Sequence, residues 1–175
     1  MVDSGLVACI DGLPATAYEG EAFRHLAPGY DPLSGRGARI RGGRWNPPDS
    51  FSVLYLGLDR ATVTAEFHRL AERERRDPSD FLPRSFYRYE LTLQNLVDIR
   101  TADAADALGL SPAELSSDQL EPCQRVGRAA RHAGRVGILA RSATGEGIVL
   151  ALFLDAMQPG STIAPTEMES WEATP

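Results

Sequence analysis

The alternation of hydrophobic and polar positions predicts several strands and a few helices. Apolar or alternating runs of strand composition, mostly bounded by glycine, proline or polar residues, occur at 22–26, 53–58, 86–93, 96–99, 136–139 and 147–154. A helical period follows the second run, because Val63, Phe67 and Leu70 recur at the spacing of one helix face. Asp59 is a favourable N-cap for that helix, and Pro78 ends it.

Two further helices are expected, at 101–110 and 122–134, so the pattern indicates mixed α and β structure. The segment 27–41 is rich in glycine and proline and is expected to be a loop. Residues 1–21 are expected to be a loosely packed N-terminal lead-in. Residues 161–175 form an acidic C-terminal tail, expected to be a peripheral strand or a partly disordered end.

Composition places the chain among ordinary globular proteins. With 175 residues, 43% hydrophobic and 24% charged, it has the size of one domain with a real core. No apolar run approaches the ~20 residues of a membrane span, and the N-terminus lacks a signal-peptide pattern, so a cytoplasmic location without membrane contact is expected. Cys9 and Cys123 lack partner spacing for a disulfide or a metal, and both are expected to be small buried hydrophobic residues.

The charges are unevenly distributed along the chain. The net charge of −6 argues against direct nucleic-acid binding, yet all 18 basic residues are arginine, a bias that a GC-rich genome also produces. Four of them fall within 36–44, which contains no acidic residue, whereas no basic residue follows Arg141. The middle of the chain is therefore expected to attract anions.

The most distinctive stretch runs from Gly42 to Leu58. Gly42 and Gly43 allow close backbone approach to a ligand, and Arg44 supplies a planar cation for an anion. Tyr55 lies within the strand that follows and offers a ring for stacking. The combination suits an anionic aromatic ligand, while Trp45 is expected to anchor the loop in the core.

Three residues outside this stretch are ambiguous on spacing alone. Arg24 alternates with Phe23, so it is either an ordinary solvated residue or a cation facing a cleft. Glu66 lies at the edge of the buried helix face, either exposed and paired with a nearby arginine or half-buried at a cleft floor. Ser142 lies in a hairpin-like loop, where serine is usually only a turn residue.

Familiar catalytic motifs are absent. No glycine-rich dinucleotide fingerprint follows a strand, a P-loop is impossible without lysine, and the three histidines lack metal-ligand spacing. The side chains that remain as candidates for chemistry are arginine, tyrosine and glutamate. Such a set suits cleavage of a bond through a sugar-cation transition state, since a carboxylate stabilises the cation, arginines hold a diphosphate and a ring stacks on the leaving base.

The motif Gly-Gly-Arg-Trp-Asn-Pro-Pro at 42–48, the run Val-Leu-Tyr-Leu at 53–56 and the pair Ala65-Glu66 resemble the RES-domain proteins, toxins of bacterial toxin–antitoxin pairs. The resemblance implies a RES domain over 22–160. It also implies an α+β fold like that of ADP-ribosyltransferases, a single domain with short-stranded central sheets flanked by helices.

The resemblance also implies roles for particular residues. The family arginine, glutamate and serine fall on Arg24, Glu66 and Ser142, which are expected to be catalytic. The residues expected to bind the substrate are Arg24, Arg44, Asn46 and Tyr55. NAD is the implied substrate, inorganic phosphate a candidate co-substrate, and no cofactor or metal is expected.

The function implied is that of a toxin that degrades NAD at the nicotinamide–ribose bond by phosphorolysis or hydrolysis. The implied partner is a helix-turn-helix antitoxin of the Xre type that covers the NAD cleft, and a homodimer within the complex is compatible with this arrangement. Two alternatives stay open: transfer of ADP-ribose to a cellular protein, and an inactive module whose arginine loop binds an acidic partner.

Overall fold

A computed structural model describes residues 2–175. The helices are α1 (Ser4–Gly12), α2 (Arg36–Arg41), α3 (Arg60–Glu74), α4 (Ala102–Asp106), α5 (Pro112–Ser116) and α6 (Glu121–His132). The strands are β1 (Thr16–Leu26), β2 (Val53–Gly57), β3 (Arg84–Asp98), β4 (Gly137–Arg141), β5 (Ile148–Phe153) and β6 (Thr162–Trp171). Within residues 2–175, no helix has both the length and the apolar character needed to cross a membrane.

Five strands form a closed, barrel-like sheet. Their order is β1-β2-β5-β4-β3, and β3 pairs back with β1, so the ring has no free edge at that point. The long strand β3 divides its second edge between two partners, with β6 along its first half and β4 along its second. The sheet is mainly antiparallel, since only the β3–β4 pair is parallel.

Alternating side chains of the strands fill the barrel and cover its outside. The interior is a buried apolar cluster dominated by leucine, comprising Ala22, Leu54, Leu56, Tyr89, Leu91, Leu93, Leu96, Val136, Leu139, Leu150 and Leu152. The outer face packs against α1 and α6 in a second cluster, which includes Val53, Ala151 and Phe153. Helix α3 covers a third cluster through Val63 and Phe67, which pack with Phe86 and Trp171.

The N-terminal lead-in is a packed part of the fold, contrary to the expectation of loose structure. Asp3 caps α1 by accepting a hydrogen bond from the backbone N–H of Leu6, and Ile10 is fully buried. The guanidinium group of Arg135 donates to the carbonyl oxygens of Ile10 and Leu13 at 2.6 and 2.8 Å. Because the anchoring residue lies more than 120 positions away, local sequence does not indicate this packing.

Other elements differ from the expected pattern in their extent. The two strands expected at 86–93 and 96–99 are one strand, β3, which continues through Asn95 although that residue has a φ of 60°. The expected loop 27–41 contains α2. The acidic tail forms β6 against β3, which agrees with the first of its two expected alternatives, a peripheral strand. The strands β1, β3 and β6, of 11, 15 and 10 residues, are longer than the short strands expected, whereas β2, β4 and β5 have five or six residues. Cys9 is exposed rather than buried.

Strands β1 and β2 pair in register only at Phe23 and Gly57, which is the shortest pairing in the ring. The loop 27–35 follows β1 at one open end of the barrel, where Tyr89 donates from its hydroxyl to the carbonyl oxygen of Pro32 at 2.8 Å. Directly after β2, the side chain of Asp59 accepts from the backbone N–H of Thr62 at 2.7 Å and begins α3. This cap, expected from the sequence, sets the direction in which α3 leaves the sheet.

Candidate active site

The centre of the candidate site is a hydrogen bond between Glu66 and Ser142. Glu66 lies on α3 and Ser142 on the loop between β4 and β5, 76 positions apart, and the serine Oγ donates to the glutamate Oε1 at 2.6 Å. Ser142 is 5% exposed and Glu66 is half-buried. This geometry agrees with the second alternative for Glu66, a half-buried carboxylate, rather than with an exposed side chain paired with an arginine.

The β4–β5 loop, residues 142–147, is held so that Ser142 faces α3. The Oγ of Ser142 accepts from the backbone N–H of Thr144 at 3.1 Å and lies 2.7 Å from the Thr144 Oγ1. Gly147 has a φ of 73°, and a Cβ there would lie 1.8 Å from the Oγ1 of Thr62 on α3. Only glycine fits this approach, so the loop and the helix have a fixed relation.

Arg69 follows Glu66 on the same side of α3, about one turn along the helix. Its Nη2 donates to the carbonyl oxygen of Ser116 and to the Oδ1 of Asp118, both at 2.8 Å. Its Nη1 lies 3.4 Å from the carbonyl oxygen of Ala143, the residue after Ser142. Arg69 therefore connects α3, the β4–β5 loop and the segment after α5.

The loop Gly42–Asn46 is tied together by its own side chains. Asn46 is fully buried and donates from Nδ2 to the carbonyl oxygen of Ala38 at 2.7 Å. The hydroxyl of Tyr55 donates to the Asn46 Oδ1 at 2.8 Å and accepts from the backbone N–H of Trp45 at 2.9 Å. Burial raises the pKa of Tyr55, so its hydroxyl is neutral at physiological pH.

The same loop approaches its surroundings closely at two glycines. A Cβ at Gly43 would lie 2.5 Å from the Tyr55 hydroxyl oxygen and 2.6 Å from its ring, so the backbone at Gly43 covers part of the tyrosine. A Cβ at Gly127 on α6 would lie 1.7 Å from the carbonyl oxygen of Trp45. Trp45 is 1% exposed, and the expectation that it anchors the loop in the core is confirmed.

Arg44 extends from this loop to the segment that follows α5. Its Nη2 donates to the carbonyl oxygen of Ser117 at 3.0 Å, and its Nη1 lies 3.5 Å from that of Glu114. Helix α5 has a capping box between Ser111 and Glu114 but contributes no buried residue. The two arginines, Arg44 and Arg69, therefore both contact this sparsely packed segment.

Arg24 lies on the face of β1 that carries Ala22 and therefore faces the barrel interior at its open end. Its Nη1 donates to the carbonyl oxygens of Ser34 and Pro32, at 3.2 and 3.4 Å. Burial lowers the pKa of Arg24, while the neighbouring Tyr89 opposes that shift. The hydrogen bonds of Arg24 thus go to the 27–35 loop and not to Glu66 or Ser142.

A cavity of about 430 Å³ lies beside Ser142, in the size range of ligand pockets. One wall comes from the end of β4 and its loop, including Arg141 and Ser142, and the other from α4 and α5, including Leu115 and Ser116. Within residues 2–175, no group of three or more histidine, cysteine, aspartate or glutamate side chains is arranged to hold a metal ion.

The structure thus brings Glu66 and Ser142 together in one pair and Asn46 and Tyr55 together in another. Arg24 contacts the 27–35 loop, and Arg44 contacts α5 and the residue after it. Sequence reasoning missed Arg69 and Thr144 as parts of the site. The position of Arg69 three residues after Glu66 was the available signal for the first. No local signal marked Thr144, because its role depends on how the β4–β5 loop folds.

Comparison with known proteins places this architecture in a family. The family model described as RES domain matches residues 21–174. Proteins named NAD(+) phosphorylase MbcT, from Mycobacterium bovis and Mycobacterium tuberculosis, are 31% identical over 161 residues, which is 91% of this chain and 87% of theirs.

The fold also matches a solved structure, that of the M. tuberculosis MbcT–MbcA toxin–antitoxin complex. The match has a TM-score of 0.85 and 29% sequence identity, and it covers 98% of this chain and 94% of the other. The agreement includes the barrel-like sheet and the helices around it. The chain therefore belongs to the RES-domain family.

Proposed function

We propose that this protein is the toxin of a toxin–antitoxin pair and degrades NAD by cleaving the nicotinamide–ribose bond, with inorganic phosphate as the acceptor. The observation that carries the proposal is the similarity, over 91% of the chain, to proteins named NAD(+) phosphorylase. The contact between Glu66 and Ser142 supports it, because a half-buried carboxylate oriented by a hydroxyl suits this chemistry.

In the proposed reaction, the bond between the ribose C1′ and the pyridinium nitrogen breaks and its electron pair stays with nicotinamide, which leaves neutral. Positive charge develops on the ribose, and the Glu66 carboxylate stabilises it. A phosphate oxygen then bonds to C1′ and gives a phosphorylated ADP-ribose. Ser142 donates to Glu66 and fixes the direction of its carboxylate.

The remaining candidate residues receive binding or supporting roles in this proposal. Arg44 is assigned to the NAD diphosphate, which requires its present carbonyl partners at Glu114 and Ser117 to give way. Arg24, which lies at the open end of the barrel, is assigned to binding the phosphate groups of NAD. Tyr55 and Asn46 hold the loop that carries Arg44. The overall arrangement is assigned to the ADP-ribosyltransferase type.

An antitoxin partner belongs to the proposal. It is supported by the structural match to a toxin seen in complex with its antitoxin, MbcT–MbcA. We assign the partner of this chain to the helix-turn-helix, Xre-type class and expect it to cover the NAD cleft. Expression of the chain alone should then halt growth, and co-expression with its antitoxin should restore it.

The test is incubation of the purified protein with NAD, with and without phosphate, followed by product analysis. We expect nicotinamide release that depends on phosphate and a product that carries the added phosphate. Nicotinamide release without phosphate incorporation would indicate hydrolysis instead. Label from radioactive NAD on protein in a lysate would indicate ADP-ribose transfer, and nicotinamide release no faster than in buffer would contradict the proposal.

A further inference from the structure

Arg69 is a cation beside the candidate active site to which the proposed mechanism gives no role. It lies on α3 three residues after Glu66, at the spacing that brings side chains together on one side of a helix. Its Nη1 is 3.4 Å from the carbonyl oxygen of Ala143, directly after Ser142. The positive charge therefore contacts the loop that carries Ser142 and lies one helical turn from Glu66.

The guanidinium group of Arg69 already holds an oxyanion. The Asp118 carboxylate accepts a hydrogen bond from Nη2 at 2.8 Å, and the same nitrogen donates to the carbonyl oxygen of Ser116. The Asp118 side chain is 66% exposed, whereas that of Arg69 is 26% exposed. An ion pair with one exposed partner is weak, so an anion with more charge can displace the carboxylate.

The position of Arg69 favours the acceptor phosphate over the NAD diphosphate. An acceptor must reach the ribose carbon at which Glu66 acts, and Arg69 lies on the same helix as Glu66. Arg44 contacts the neighbouring carbonyl oxygen of Ser117 from a different element, the 42–46 loop. A dianionic phosphate beside the Glu66 carboxylate is repelled by it, and a guanidinium group next to both offsets that repulsion.

We propose that Arg69 binds the inorganic phosphate that attacks the ribose, and that the Asp118 carboxylate occupies this position until phosphate displaces it. The inference rests on the proposed function, because it specifies where its co-substrate binds. Arg69 is then a substrate-binding residue for phosphate, and Asp118 is a competitor for the same site.

The test is steady-state kinetics of NAD phosphorolysis in which phosphate and NAD are varied separately. Arg69→Gln is expected to raise the KM for phosphate by about tenfold or more, since it removes a charged hydrogen-bond donor, and to leave the KM for NAD within about twofold. Asp118→Asn is expected to lower the KM for phosphate, because the competing charge is gone. Arg73→Gln is the matched control, since Arg73 lies on the same helix, is half-exposed and, within residues 2–175, forms a salt bridge with Glu74 alone.

The effect of Arg69→Gln on kcat distinguishes phosphate binding by Arg69 from support of the β4–β5 loop. If Arg69→Gln lowers kcat at saturating phosphate while its KM for phosphate equals that of the wild type, Arg69 only positions the β4–β5 loop and the inference is overturned. A rise in the KM for NAD alone overturns it as well, because the residue then binds the diphosphate. Wild-type protein that releases nicotinamide by hydrolysis, with no phosphate dependence, overturns the inference but leaves NAD degradation intact.

A binding measurement keeps the inference testable if the protein does not turn over NAD, which would contradict the proposed function separately. The thermal unfolding midpoint is measured against inorganic phosphate at constant ionic strength. Phosphate is expected to raise the midpoint of the wild type and of Arg73→Gln but not that of Arg69→Gln. Equal responses in all three proteins, or no response in the wild type, would contradict a phosphate site at Arg69.

Discussion

The 42–46 loop and the 142–147 loop make a useful comparison, because both carry glycines and polar side chains yet use them differently. In the first, the fully buried Asn46 forms hydrogen bonds with the surrounding backbone and with the hydroxyl of Tyr55 on β2. In the second, Ser142 points across to the half-buried Glu66 on another element. The Asn46–Tyr55 hydrogen bond joins the first loop to its supporting strand, whereas Ser142 of the second loop lines a cavity and also donates to a carboxylate on α3.

The comparison teaches that the most recognisable stretch of a sequence need not hold the chemistry. The motif around Gly42 is distinctive because it demands glycines, a buried amide and a buried indole at fixed positions, which are requirements of packing. The Glu66–Ser142 pair requires only two common residues, placed together by the fold. We therefore assign the 42–46 loop to the support of Arg44 and the Glu66–Ser142 pair to bond cleavage.

The largest expected effect is that of Glu66→Gln on activity. The amide keeps the shape of the side chain but loses the negative charge that we propose stabilises the ribosyl cation, so kcat for NAD should fall about 1,000-fold, roughly 4 kcal/mol in the barrier. The control is Glu72→Gln, which makes the same charge change at an exposed position of the same helix. Comparable loss in both variants would contradict a specific role for Glu66.

A second effect concerns the packing of the 42–46 loop on α6. Gly127→Ala would place a Cβ 1.7 Å from the carbonyl oxygen of Trp45, so the loop must shift, and the free energy of unfolding should fall by about 1–3 kcal/mol or more. Gly12→Ala on α1 is the control, because a Cβ there would have no neighbour within 4 Å among residues 2–175 apart from the local helix backbone and the adjacent residues. Chemical denaturation measures both, and an equally stable Gly127→Ala protein would show that the loop is not fixed by this contact.

A third effect tests the packed cluster beneath α3. Burial, with the charges of Arg84 and Arg24, lowers the pKa of His25 from its ordinary 6.5 to about 3. Between pH 6.5 and about 3, His25 therefore binds a proton in the unfolded chain but stays neutral in the folded protein. Stability should fall as the pH drops through this window, by about 1.4 kcal/mol per pH unit at most.

His25→Asn removes this titration while keeping an acceptor for the Nε of Arg84, which donates to the Nδ1 of His25 at 3.1 Å. Urea unfolding of both proteins at several pH values from 7 down to about 4 measures the difference. The variant should lose less stability than the wild type over this range. Parallel curves would mean that His25 titrates normally in the folded protein.

The sequence was sufficient for elements that depend on neighbouring residues. Asp59 caps α3 where the pattern predicted, and the apolar period of α3 placed Glu66 at the edge of a buried face. Strand β2 and the hairpin of β4 and β5 also follow from local runs of apolar residues bounded by glycine. Local propensity and tertiary packing agree in these segments.

Elements that depend on distant partners could not be read in the same way. Helix α1 packs through Leu6 and Ile10 in the same apolar cluster as α6 and accepts hydrogen bonds from Arg135, more than 120 positions along the chain. The bonds from Arg69 reach residues 47 to 74 positions away, so no sequence window contains them. For the same reason, spacing alone left the roles of Glu66 and Ser142 open. The fold brings the Ser142 Oγ to 2.6 Å from the Glu66 Oε1.

The most direct test of the central claim compares two deletions of a single hydroxyl, Ser142→Ala and Tyr55→Phe, in both kcat/KM for NAD and the free energy of unfolding. Ser142→Ala should lower kcat/KM by about 10- to 100-fold, because the Glu66 carboxylate loses its orienting donor, and should lower stability by less than about 1 kcal/mol, because the Thr144 N–H that also loses its acceptor is partly exposed to water. Tyr55→Phe should lower stability by about 1–3 kcal/mol and leave kcat/KM within about threefold, because it unpairs Asn46 and the Trp45 N–H. The reverse result, with activity lost in Tyr55→Phe and retained in Ser142→Ala, would contradict the assignment of catalysis to the Glu66–Ser142 pair.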